Sequence, residues 1–183
     1  MSAEREVAIL CANNKSVYHE ISGCVVYDKK RDARTFTGGM PIVAHPPCRA
    51  WSAFCAHQAK PEVGEKELGL LCCTRLVECG GVLEQPAHSR LWVAASFPKP
   101  SEPKRDDLFS VELWQAWFGY PTMKRTWLTI SGVRAIDLPE IPFRLHARGR
   151  DKKLFKSMSH SQRSATPRAF AEWLVAVARL VNH

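Results

Sequence analysis

Between Pro41 and Ser52 the chain reads Pro-Ile-Val-Ala-His-Pro-Pro-Cys-Arg-Ala-Trp-Ser, and no other stretch limits the fold as tightly. The apolar run Ile42-Val43-Ala44 is short and partly β-branched, as a buried strand requires. Pro46 and Pro47 then end it, because proline offers no amide hydrogen to a sheet and fixes its own φ. Open α/β sheets meet their ligands at the loops that leave strand ends. Cys48 follows the prolines at such a place, with Arg49 at its side. A thiol on a stiff loop can serve as a nucleophile, for which Arg49 is the obvious cause of a lowered pKa; a free cysteine is equally at home in a core.

The remaining segments alternate in the same style. Glu6 to Cys11 reads as a strand, Ala12 to Ser16 as a turn, Val17 to Ile21 as a short helix, and Cys24 to Tyr27 as a second strand that ends at Asp28. After Pro61 the spacing of Leu68, Leu71, Cys72, Arg75, Leu76 and Cys79 predicts a helix, stopped by Gly80-Gly81. Its cysteines read as core. Val82 to Pro86 is then a strand, Asp107 to Phe118 a short aromatic-rich helix, and Thr126 to Ile130 a late strand. Thr166-Pro167 opens a last helix, 166–181, with Phe170, Trp173, Leu174, Val177 and Leu180 on one face. With 183 residues, this order predicts one compact α/β domain over residues 1–183, Rossmann-like, with a mostly parallel sheet and flanking helices.

Parallel strands joined by a helix bring Cys48 and Glu84 to the same edge of the sheet. That is the most specific juxtaposition the residues supply by themselves. Asn13 and Ser16, in the turn after the first strand, and Asp28, after the second, are the candidate cofactor-binding residues. An acid at Asp28 suits a ribose hydroxyl, and acids also end strands for no such reason.

The net charge of +8 points to a polyanionic partner, DNA or a nucleotide. It concentrates between Arg144 and Arg168, where Arg148, Arg150, Lys152, Lys153, Lys156 and Arg163 are the candidate nucleic-acid contacts; a solvated loop has the same composition. Seven cysteines without a signal region predict free thiols in a reducing, cytoplasmic setting, and no apolar run is long enough for a membrane span. His45, Cys48, Cys55 and His57 share one segment but lack the paired spacing of zinc sites, so no metal is expected. The tryptophans read as core, except Trp51, which neighbours the thiol and could stack on a base.

Ala44-His45-Pro46-Pro47-Cys48 resembles the Pro-Cys nucleophile loop of the cytosine-5 DNA methyltransferases. Leu83-Glu84-Gln85-Pro86 is similar to that family's Glu-Asn-Val strand end, and Gly119 to Gly132 to its Gly-Val-Pro-Gln segment with two arginines and a following strand. Order and rough spacing agree over about residues 40 to 132, and Thr166 to Val177 loosely resembles the family's C-terminal helix. The whole chain also looks like small bacterial and phage proteins that share this Pro-Pro-Cys-Arg-Ala-Trp loop. The resemblance implies a methyltransferase-like fold, Cys48 as nucleophile, Glu84 as proton donor, Lys124 and Arg125 as pyrimidine contacts, and S-adenosylmethionine as methyl donor. The family's glycine-rich donor loop is replaced here by Cys11-Ala12-Asn13-Asn14-Lys15-Ser16, and no segment is large enough for a target-recognition domain.

Three functions follow as expectations. One is a DNA base-modifying enzyme acting on a flipped pyrimidine. Another is a cysteine-dependent enzyme acting on a pyrimidine nucleotide, with Lys15 or the basic turn at Arg31 holding the phosphate. The third is an inert, methyltransferase-derived nucleic-acid-binding protein.

Overall fold

The computed structural model describes residues 4–52, 60–103, 107–143 and 152–182. Its centre is a six-stranded sheet in the order β2-β1-β3-β4-β6-β5. The strands are β1 (Val7–Leu10), β2 (Cys24–Tyr27), β3 (Ile42–Ala44), β4 (Gly81–Pro86), β5 (Leu108–Trp114) and β6 (Arg125–Ser131). The helices are α1 (Glu65–Cys79), α2 (Leu91–Ala94), α3 (Lys152–Ser157), α4 (His160–Ser164) and α5 (Arg168–Arg179). Val17–Glu20 forms a short 3₁₀ turn where a helix was predicted.

The sheet is mixed, which corrects the mostly parallel sheet predicted above. β1 to β4 pair in parallel, but β6 lies antiparallel to β4 and β5 antiparallel to β6. The cause is the segment predicted as a helix over Asp107 to Phe118, which is instead strand β5 followed by a 3₁₀ turn, Gln115–Phe118. Phe109, Val111 and Leu113 alternate with Ser110 and Glu112, a period of two that suits a strand. The first set packs into the core beneath α5. On the other side Ser110 Oγ accepts from Trp92 Nε1 at 2.9 Å and Glu112 Oε2 from Trp127 Nε1 at 2.8 Å.

Alternation also divides the apolar residues between two cores. Val7, Ile9, Val43 and Val82 face α5, meeting Phe170, Trp173, Leu174 and Val177. Ala8, Leu10, Ile42, Ala44 and Leu83 face α1 and α2, meeting Cys72, Cys73, Leu76 and Trp92. The α1 cysteines are core, as their spacing predicts, and the described cysteines are free thiols. Gly81 is required where β4 passes β3: its φ is +121°, and a Cβ there would lie 2.0 Å from the Ile42 carbonyl oxygen. Among the described residues no helix is long and apolar enough to cross a membrane.

β1 sits between β2 and β3. The chain therefore leaves β1 in one direction and returns to the other side with β3. Such a reversal leaves a crevice at the carboxyl ends of the two strands, where neighbouring loops part. The loops that leave β1 and β3 there are 11–16 and 45–48, the two that the sequence singles out.

Candidate active site

A cleft of about 600 Å3 opens at that reversal. Cys11 to Tyr18 after β1, His45 to Cys48 after β3, and Glu84 to Pro86 of β4 form three of its walls, while Lys124, Arg163, Ser164, Ala165 and Thr166 close the remaining side. Cys48 and Glu84 thus share one cleft, as parallel neighbours β3 and β4 should place them. Glu84 stands one residue past the last β4 partner of β3, since Leu83 pairs with Ala44.

The loop that carries Cys48 is fixed from β4. Gln85 is buried and its side-chain amide donates to the Pro46 carbonyl, while Ser89 Oγ donates to Gln85 Oε1 at 3.3 Å. The His45 amide donates to the Leu10 carbonyl at 2.9 Å, which joins the start of the loop to β1. Trp51 is core: it is buried against Gly69 of α1, where a Cβ would come within 2.4 Å of Trp51 Nε1.

Glu84 lies at the middle of a hydrogen-bonded chain. A carboxylate only accepts, so His45 Nδ1 carries the hydrogen and donates to Glu84 Oε2 at 3.1 Å. His45 Nε2 is then the acceptor for the Tyr18 hydroxyl, 2.8 Å away. On the other side Gln115 Nε2 donates to Glu84 Oε1 and to Thr126 Oγ1, both at 3.1 Å. Burial works to raise the Glu84 carboxyl, but the His45 hydrogen bond, the Lys124 charge and the Gln115 amide outweigh it, and the pKa falls below the ordinary value. Burial, then the Glu84 charge, push the Tyr18 phenol well above its usual range, so it remains a donor.

Cys48 behaves oppositely to the expectation of a lowered pKa. Solvent reaches its side chain, yet the cleft walls thin its hydration. Burial and then the charge of Glu84 push the thiol above its ordinary value, with its own amide and Lys124 pulling back only in part. Arg49 is not the activator predicted. It turns away to α1 and the loop before it, bonding Glu62 Oε1 at 2.7 Å and Glu65 Oε1 closely. In the resting protein the pair is therefore a thiol and a carboxylate.

The two basic residues at the start of β6 part company. Lys124 enters the cleft. Arg125, predicted as a second pyrimidine contact, points elsewhere: its Nε pairs with Glu112 Oε1 at 2.8 Å and its Nη1 bonds His88 Nε2 at 3.1 Å. Successive residues of a strand face opposite sides, so one of the two had to leave the site.

Of the predicted cofactor residues, Asn13 and Ser16 line the cleft and Asp28 does not. Asn13 Oδ1 accepts the Lys15 amide at 3.1 Å, and the Ser16 amide bonds the Asn13 carbonyl at 2.8 Å, so the loop closes on itself. Asp28 Oδ1 accepts the amides of Lys30 and Arg31 at 2.7 and 3.1 Å, bonds that, with Arg31 first, hold its carboxyl below the usual range. It braces a turn instead of awaiting a ribose. These residues do not fit S-adenosylmethionine, whose sulfonium is positive: the loop presents Lys15, no carboxylate and no glycine, and Cys11 occupies its one left-handed position at φ +62°.

In the basic segment, Arg148 and Arg150 lie outside the described residues, as do Cys55 and His57. Lys152, Lys153 and Lys156 fall on α3, where Lys153 and Lys156 are exposed, and among the described members of the predicted set only Arg163 lines the cleft. Three contributors escape a sequence reading. Gln85 adjoins Glu84 but looks like a strand residue, Tyr18 looks like core, and Gln115 is hidden in a segment whose strand period resembles helical spacing. No protein-family model and no curated protein matches the chain.

Proposed function

We propose that this protein is a pyrimidine base-modifying enzyme of a Rossmann-like, cytosine-5 methyltransferase-like kind, in which Cys48 adds to ring carbon 6. The observation that carries the reading is the convergence of Cys48, Glu84 and Lys124 on one cleft at the sheet's reversal point. A thiol and a carboxylate at rest suit a proton shuttle. As Cys48 Sγ bonds to carbon 6, its proton passes to Glu84 and on to ring nitrogen 3, which receives the electron pair displaced from the ring double bond. Lys124 steadies the exocyclic oxygen through which the ring is polarised. His45 and Gln115 hold the carboxylate in place, with Tyr18 fixing the imidazole tautomer. The adduct has a nucleophilic carbon 5.

The simplest consequence needs only water. While Cys48 is attached, carbon 5 can take a solvent proton and lose its own, so a deoxycytidine nucleotide incubated in heavy water should gain deuterium at carbon 5, read by mass spectrometry. Cys48→Ser should return uptake to background. Undiminished uptake in that variant, or none in the native protein with nucleotide or single-stranded DNA, would remove the nucleophile from the reading.

A further inference from the structure

We propose that Lys15 and Arg163 form a phosphate subsite in this cleft, so that its substrate is a pyrimidine 5′-nucleotide. The pyrimidine rests on the function proposed for Cys48; the phosphate does not. Three cations from three separate elements meet in the cleft: Lys15 after β1, Lys124 before β6, and Arg163 on α4. Most arginines of the described surface are bound to acids, with Arg49, Arg125, Arg168 and Arg179 held by Glu65, Glu112, Glu172 and Glu4. Among the described residues, no carboxylate pairs with Lys15, Lys124 or Arg163. Lys124 acts on Glu84 and Cys48 and belongs to the reacting half of the cleft. Arg163 lies over the Phe155 ring, 5.6 Å from its centroid, and its charge reaches the Tyr120 phenol; with no anionic partner among the described residues, Lys15 and Arg163 are left for a second anion.

The surroundings suit a phosphoryl group. Glu84 is the only carboxylate among the described cleft residues, and His45 and Gln115 cover it with hydrogen bonds. Ser16 and Thr166 add hydroxyls, and Ser16 makes no capping bond to the 3₁₀ turn that it precedes. Because the amides of Lys15 and Ser16 are used within the loop, the anion is held by side chains: an ammonium as a point charge and a guanidinium as a fork. The cleft volume of about 600 Å3 lies in the range of small-ligand sites. The place where a methyl donor does not fit is thus the place where a nucleotide's phosphate does.

Calorimetric titration with deoxycytidine, deoxycytidine 5′-monophosphate, adenosine 5′-monophosphate and a short single-stranded oligodeoxycytidylate tests this. The cytidine monophosphate should bind at least roughly tenfold more tightly than its nucleoside. Lys15→Ala and Arg163→Ala should each remove most of that advantage and leave nucleoside binding unchanged, whereas Lys66→Ala, on the exposed side of α1, should not. A monophosphate that suffices marks a free nucleotide as substrate; a requirement for the oligonucleotide, with the same dependence on Lys15 and Arg163, marks a strand. No advantage of monophosphate or oligonucleotide over nucleoside, or an advantage that survives the double variant, overturns the subsite even if Cys48-dependent exchange persists. Equal binding of adenosine and cytidine monophosphates, still dependent on both residues, keeps the subsite and overturns the pyrimidine reading.

Discussion

Cys48 and Glu84 set each other's protonation. The thiol is raised first by burial and then by the carboxylate's charge, so removing that charge should make the thiolate easier to form. In Glu84→Gln the rate of Cys48 alkylation by iodoacetamide should therefore climb at lower pH than in the native protein, because the thiolate is the reactive form. An unmoved profile would show that the two side chains do not sense each other. The same substitution should slow exchange at carbon 5 by about 10² to 10⁴, the usual range for a lost acid–base group. Alkylation and exchange thus respond in opposite directions, a pattern that simple misfolding does not produce.

At the scale of elements, the site depends on β4 holding the loop after β3. Gln85→Ala should leave the buried Pro46 carbonyl without its donor and cost about 1–3 kcal/mol in a urea unfolding experiment. It should also slow exchange at carbon 5, because Cys48 would be less firmly placed; full activity at reduced stability would confine Gln85 to a structural role. This element was half legible in the sequence. The prolines marked where β3 ends, and the β3-α1-β4 order put Cys48 beside Glu84, since both follow from local chemistry and a crossover rule. The direction of the neighbouring side chains was not legible. Arg49 adjoins Cys48 in sequence but swings to Glu62 and Glu65, and Arg125 adjoins Lys124 but faces Glu112. Adjacent residues on extended or turning backbone diverge, and only tertiary partners decide which one stays. The β5 segment failed for another reason: Leu108, Val111 and Trp114 fit helical spacing while Phe109, Val111 and Leu113 fit a strand, and the pairing with β6 decided between them.

For the whole molecule, the positive charge and the cleft make separable claims. Neutralising Lys152, Lys153 and Lys156 together should weaken single-stranded DNA binding and flatten its salt dependence, the slope of log affinity against log salt falling by about 0.7 for every phosphate that a lysine had neutralised. An unchanged slope would move any polyanion binding away from α3. The division of the core by the sheet bears on how the molecule is assembled over time. α5 comes last of the described elements, yet it covers Val7, Ile9, Val43 and Val82, and its Arg179 bonds Glu4 and the Ser22 carbonyl across almost the whole chain. Such distant pairings are slow to form. A chain emerging from the ribosome therefore carries one bare apolar face of its sheet until α5 has been made, and over that interval it is a client for chaperones and open to aggregation.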